Sequence, residues 1–169
     1  MKKICSITFV GLLIFFLSCK KTEGFTSLTD SPAAVPVTVA NVYDYLPTPT
    51  VKASKAENKI TITLQIPVES GRTIKEVNRI AASTTANYTA IVSGTTVGTG
   101  TSQLWSNTPI AVNATSYTFN TTFDEYKTKT ATTAQPASSS LLARDFYFQL
   151  TLDNGESIVT QNIRVWVVD

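Results

Sequence analysis

Few residues in this chain could do chemistry, and most of those are carboxylates. The 169 residues include no histidine and two cysteines, Cys5 and Cys19. Histidine acid–base catalysis, histidine metal sites and Cys/His zinc patterns are therefore excluded. No glycine-rich phosphate loop or dinucleotide fingerprint occurs. Two acidic pairs remain, Asp124-Glu125 and Asp153 with Glu156. Glycoside hydrolysis needs two carboxyl groups about 5 Å or about 6.5–9.5 Å apart. Adjacent side chains on a strand point to opposite faces, which separates Asp124 from Glu125. Asp153 and Glu156 flank an Asn-Gly turn, where solvated acids are expected. Calcium would need several oxygen ligands in one loop, as in a D-x-D-x-D-G run, and there is none. No catalytic residue, metal ligand or cofactor is expected.

Aromatic side chains are the other candidates. Trp105, in the loop-like stretch Gln103–Asn107, is expected to cap the end of a core, with stacking on a sugar ring or a partner as the alternative. Tyr117 lies on an alternating run, and Trp166 lies in the last strand on the same face as Arg164, which it could stack against. Trp105, Tyr117 and Trp166 are the candidate ligand contacts. Tyr43 and Tyr45 alternate with polar residues and are expected to be structural.

These residues need elements to hold them, and the chain needs a place to work. It opens Met1-Lys2-Lys3 and then runs apolar to Leu17. A basic start before an apolar stretch is the pattern of a secretory signal peptide. The run of roughly 14 residues falls short of the roughly 20 needed to span a bilayer. It ends Phe16-Leu17-Ser18-Cys19. This ending resembles the lipobox of bacterial lipoproteins, and the SCK tail resembles those of the Bacteroidota, although Phe16 stands where the stricter pattern has leucine. The resemblance implies cleavage before Cys19, lipidation of that cysteine and attachment to the outer membrane, on its periplasmic or its cell-surface side. One acyl chain anchors only marginally, so more than one is required.

Removing residues 1–18 takes the 14 basic residues to 12, equal to the 12 acidic ones. A neutral mature chain has no field to gather nucleic acid, so none is expected as a partner. Residues 19–36 read as the lipidated cysteine and a polar tether. Residues 37–169 are enough for one domain with a real core.

Within that domain threonine, valine, isoleucine and aromatics recur in short runs between turn residues. Lys59–Ile66 alternates strictly, and Pro67 ends it. Ile74, Val77 and Ile80 are spaced by three, which fits a helical turn or, better in this neighbourhood, an extended segment with a bulge. Tyr88–Val97 and Ser116–Phe123 read as strands, the second with Tyr117, Phe119, Thr121 and Phe123 on one side. Lys127–Ser140 shows no periodicity and is expected to be a long exposed loop.

The ending is the most legible part. Phe146, Phe148, Leu150 and Leu152 alternate with polar positions, and Asn154-Gly155 signals a two-residue hairpin turn. That turn sets Leu150 opposite Val159, Phe146 opposite Ile163 and Asp145 opposite Arg164, with one return strand from Ser157 to Val168. Several short antiparallel strands point to an all-β sandwich. The closing hairpin also resembles that of immunoglobulin-like domains in Bacteroidota surface lipoproteins. The expected function is a lipid-anchored, non-catalytic envelope module contacting a protein or glycan. A purely structural spacer and a small carboxylate hydrolase are the alternatives.

Overall fold

The computed structural model describes residues 35–83, 88–98, 104–132 and 136–169. The expected signal segment, Cys19 and the tether as far as residue 34 lie outside them. The strands are β1 (Thr38–Val39), β2 (Val42–Asp44), β3 (Thr50–Ser54), β4 (Ile60–Gln65), β5 (Ile74–Ser83) and β6 (Ile110–Ala114). They continue as β7 (Ser116–Thr121), β8 (Ser140–Leu141), β9 (Asp145–Leu152), β10 (Ser157–Val159) and β11 (Arg164–Val168). Among the described residues two short α-helices, α1 (Tyr88–Ser93) and α2 (Phe123–Thr130), and one 3-10 turn, Val68–Ser70, lie between them. The sheets run β1-β4-β7, β10-β9-β5-β6 and β2-β3-β11-β8. Neighbouring strands are antiparallel except β3 and β11, which run parallel.

Period-two sequence explains the layering. In β4, Ile60, Ile62 and Leu64 are fully buried, while Thr61 and Thr63 are half-buried on the other side. Their partner strand β7 turns Phe119 and Thr121 inward. The inward faces of all three sheets meet in one core, with Val51, Val165 and Val167 from the β3–β11 pair. Burying each such side chain contributes about 1.5–3 kcal/mol. The fold is an all-β sandwich. Its core reaches back to Val35, two residues before the expected domain start at residue 37.

The three-residue spacing of Ile74, Val77 and Ile80 is a bulge pattern, as expected. Against β9 the register shifts between Ile74 and Glu76 and again between Val77 and Arg79. Each shift inserts one residue, so inward positions that would recur every second residue recur every third. Ile74, Val77 and Ile80 thus stand opposite Leu152, Leu150 and Phe148 and share the core with them.

Three expectations need correction. Tyr88–Ser93 is helix α1, not strand. The outer side of the β5–β9 pair carries Ala81 and Tyr147, which need cover. Ile91 supplies it, packing with Ala81, Leu104 and Tyr147 in a second small core. Burial decides against β propensity here.

The second correction concerns Lys127–Ser140, because residues 127–130 belong to helix α2. Thr122 is its N-cap, accepting the Glu125 N–H at 3.0 Å, and the Glu125 carboxylate accepts the Thr121 hydroxyl at 2.7 Å. Tyr126 and Thr130 are buried. Helical spacing over this short segment was hidden by its threonines, although Thr122-x-x-Glu125 is a capping-box spacing. Phe123 accordingly starts the helix rather than ending β7.

The third correction is to the hairpin. Its loop has three residues, Asp153-Asn154-Gly155. Leu152 N–H donates to Glu156 O at 2.9 Å, Gly155 N–H donates to Leu152 O at 3.0 Å, and Gly155 sits at φ +84. Asn154 does not adopt positive φ, so this is a type I turn closed by a glycine bulge rather than a type I′ turn. Leu150 therefore stands opposite Ile158, not Val159. The expected Phe146–Ile163 pairing is present, because an irregularity between Val159 and Ile163 restores the register. The return strand breaks there. β10 stays beside β9, and β11 crosses to pair with β3.

Candidate functional site

The candidate aromatics do not form one site. Trp105 is only 5% exposed and lies in the core against Phe119, Tyr126 and Phe146, at centroid distances of 5.9, 6.5 and 5.5 Å. Its carbonyl accepts the Lys129 ammonium at 3.1 Å, and that ammonium lies 5.4 Å from the ring centroid. This is the capping position, with the indole enclosed. Tyr117 is half-buried against the core opposite Leu64, and burial pushes its hydroxyl pKa up. Trp166 alternates with the buried Val165 and Val167, so it stands on the outer face of the β2-β3-β11-β8 sheet.

That outer face gathers what the other two lack. Trp166, Arg164, Thr50, Leu141, Tyr43 and Asp44 line a groove of about 320 Å³. Tyr43 and Tyr45 are 58% and 56% exposed and Leu46 is 78% exposed, which corrects the expectation that the two tyrosines are structural. β2 is an edge strand with a register shift between Val42 and Asp44. Val42 packs against the core, and the next residue, Tyr43, is turned out. Lys52, opposite Trp166 in the ladder, holds its ammonium 3.8 Å from the Tyr43 ring centroid.

Arg164 is fixed from below. Its Nε donates to Thr50 Oγ1 at 3.2 Å and its Nη2 to Leu46 O at 2.6 Å, while its backbone N–H donates to Pro49 O at 2.9 Å. Thr50 Oγ1 donates in turn to Thr48 O, and Asn162 Nδ2 reaches both Thr48 Oγ1 and Asp145 Oδ2, the latter at 2.7 Å. The expected Asp145–Arg164 cross-strand pair is thus replaced by a chain of hydrogen bonds. Asp145 bonds to Asn162, and Arg164 holds the loop between β2 and β3. Desolvation raises the Asp145 carboxyl above its ordinary pKa, against the Asn162 hydrogen bond and the Arg164 charge, which both lower it.

A second groove of similar size lies over Asn78, Arg79, Gln149 and Thr151. Its polar groups are engaged with one another: Thr151 Oγ1 donates to Asn78 Oδ1, Asn78 Nδ2 to Glu76, and Arg79 Nη1 to the carbonyls of Ile91 and Val92. It has no aromatic wall. Arg79 there closes the end of α1, a structural task.

Neither acidic pair lines either of these two grooves. Asp124 accepts Asn58 Nδ2 at 2.8 Å and Glu125 accepts Thr121, both as cap contacts of α2. Asp153 lies 3.9 Å from Arg72 across an exposed turn. Among the described residues no group of three or more acidic, histidine or cysteine side chains lies placed to hold a metal ion. Also among them, no helix is long and apolar enough to cross a membrane.

The class defined here is an all-β sandwich with an aromatic and cationic groove on one outer sheet face. Comparison with protein-family models, with curated proteins and with solved structures finds no match.

Proposed function

We propose that this chain is a lipid-anchored, non-catalytic module of the bacterial cell envelope. On this reading it is an immunoglobulin-like sandwich held at the outer membrane through Cys19. It contacts a glycan or an envelope protein with the outer face of the β2-β3-β11-β8 sheet. The observation that carries the reading is the grouping of exposed Tyr43 and Leu141 with half-buried Trp166 in the groove on that one face. Exposing large apolar groups together costs solubility, and such patches mark interaction surfaces. The engagement of each acidic pair in a cap or turn speaks against a hydrolase.

Two measurements test it. Cys19→Ala should move the chain from the membrane fraction to the soluble fraction with an unchanged melting curve. Detergent-solubilised wild-type chain should bind isolated envelope polysaccharide or outer-membrane protein, and a Tyr43→Ser/Tyr45→Ser/Leu46→Ser variant should not. Retention of Cys19→Ala in membranes sinks the anchor. Undiminished binding by the triple variant sinks the surface and leaves the spacer reading.

A further inference from the structure

We propose that the groove between Trp166 and Tyr43 takes a saccharide bearing a carboxylate, with a sugar ring stacked on the indole and the uronate held by Arg164. This rests on the binding-module reading above and narrows its ligand to one chemical class.

Three features of the groove converge on that class. The first is the flat apolar surface. Trp166 stands half-buried on the outer face of β11, with Leu141 and Tyr43 beside it. Among the described residues its indole N–H makes no hydrogen bond, so it remains a donor for a hydroxyl at the rim. A pyranose offers an apolar C–H face and an equatorial belt of hydroxyls, which such a wall matches.

The second is a pre-positioned cation. Arg164 spends Nε and Nη2 on Thr50 and Leu46, which fixes the guanidinium plane. Among the described residues Nη1 makes no hydrogen bond, so a guanidinium edge is left for an incoming acceptor. A planar guanidinium with restrained rotamers matches a carboxylate better than an isolated hydroxyl, because both of its hydrogen bonds are charge-assisted.

The third is the charge balance of the face. Lys52 and Arg164 stand against two acids, Asp44, whose Oδ1 already accepts the Leu46 N–H at 3.1 Å, and Asp145, whose Oδ2 accepts Asn162 Nδ2 at 2.7 Å and which feels the Arg164 charge. Both acids are thus engaged within the protein.

A peptide fits less well. The groove is lined from all four strands and opens on their outer face, and the central strands β3 and β11 are already paired with each other and with β2 and β8. A ligand lying on that face meets side chains and not free backbone groups of those two strands.

The test is calorimetry on the detergent-solubilised full chain. The probes are oligogalacturonate, oligoglucuronate and oligomannuronate, the methyl ester of each, and a neutral gluco-oligosaccharide. Binding of at least one acidic oligomer is expected, weakened about tenfold or more by esterification and weakened progressively by added salt. Trp166→Ala and Arg164→Gln should each weaken it about tenfold or more, whereas Lys75→Gln, on an exposed position of another sheet, should not change it. If Arg164→Gln fails to fold, Trp166→Ala and the ester comparison decide alone.

Equal affinity for acid and ester overturns the carboxylate assignment. Loss on Trp166→Ala would then still support a glycan-binding face. Failure of every acidic oligomer overturns the inference outright, and the polysaccharide and protein arms of the envelope experiment then judge the module reading separately. Acid binding that survives both variants places the site elsewhere and overturns it as well.

Discussion

Asp145 shows how a single residue can be costly in its native place. Its carboxyl is raised by desolvation above the ordinary value, so the folded chain holds that proton more tightly than the unfolded chain does. The stability linked to the proton is fully present below the ordinary carboxylate pKa and is lost as pH rises through the raised one. Asp145→Asn removes the charge and keeps an oxygen to accept Asn162 Nδ2. It should therefore melt higher than wild type near neutral pH, and the gain should vanish as pH falls below the ordinary carboxylate value. Melting curves across that range check this, and a less stable variant at neutral pH would contradict it. Gly155 is the other residue whose backbone decides. At φ +84 with no atom within 4 Å of an added Cβ, a side chain there meets strain but no clash. Gly155→Val should cost about 1–2 kcal/mol from the left-handed backbone alone, and Gly155→Asn less. Denaturant melts read both. A loss well above that range would require a contact the turn does not show.

At the scale of elements, strand β9 separates what sequence could and could not tell. Alternation assigned Phe146, Phe148, Leu150 and Leu152 to the core, and all four are fully buried. The same alternation puts Tyr147 on the opposite face, yet Tyr147 is buried too, in a cluster with Ile91 and Leu104. Period two reports the two faces of a strand but cannot report that a distant helix covers the second one. Phe148→Ala should cost about 3–5 kcal/mol, the range for a fully enclosed aromatic. Tyr147→Ala should also cost more than a surface change, with the loss shared by Ile91→Ala because both line one small cluster. A double-mutant cycle between these positions checks the coupling. Additive losses would mean that α1 does not cover β9. The hairpin register has the same lesson. Asn-Gly marked the turn correctly, but a three-residue loop and a two-residue loop differ by one position, and only the glycine's bulge geometry separates them. The aromatic groove was half legible. Trp166 was placed with Arg164 on the outer face by alternation alone. The exposure of Tyr43 and Tyr45 was not, because a polar–aromatic alternation does not say which of its two faces the fold leaves uncovered.

At the scale of the whole molecule, the fold closes through its two ends. β3 lies early in the domain and β11 ends it, and they are parallel neighbours with Val51, Val165 and Val167 packed into the common core. Parallel neighbours cannot be joined by a tight turn, and here the whole of residues 55–163 lies between the paired strands. Contacts of such long sequence separation form late and at high entropic cost. The pair also carries the candidate groove, since Thr50, Arg164 and Trp166 all stand on it. Ending the chain after Gln161 removes β11 and with it three of the links that hold the β2–β3 loop: the Pro49, Leu46 and Thr50 bonds to Arg164. Two buried neighbours, Val51 and Ala53, would lose their cover. The truncated chain should therefore lose cooperative thermal unfolding altogether, instead of retaining a sandwich that lacks one edge. Differential scanning calorimetry of the full and shortened chains distinguishes the two. A sharp transition in the shortened chain, with its enthalpy reduced only in proportion to the residues removed, would show that β4–β7 and β5–β9 form a self-sufficient core and that the closing pair serves the groove alone.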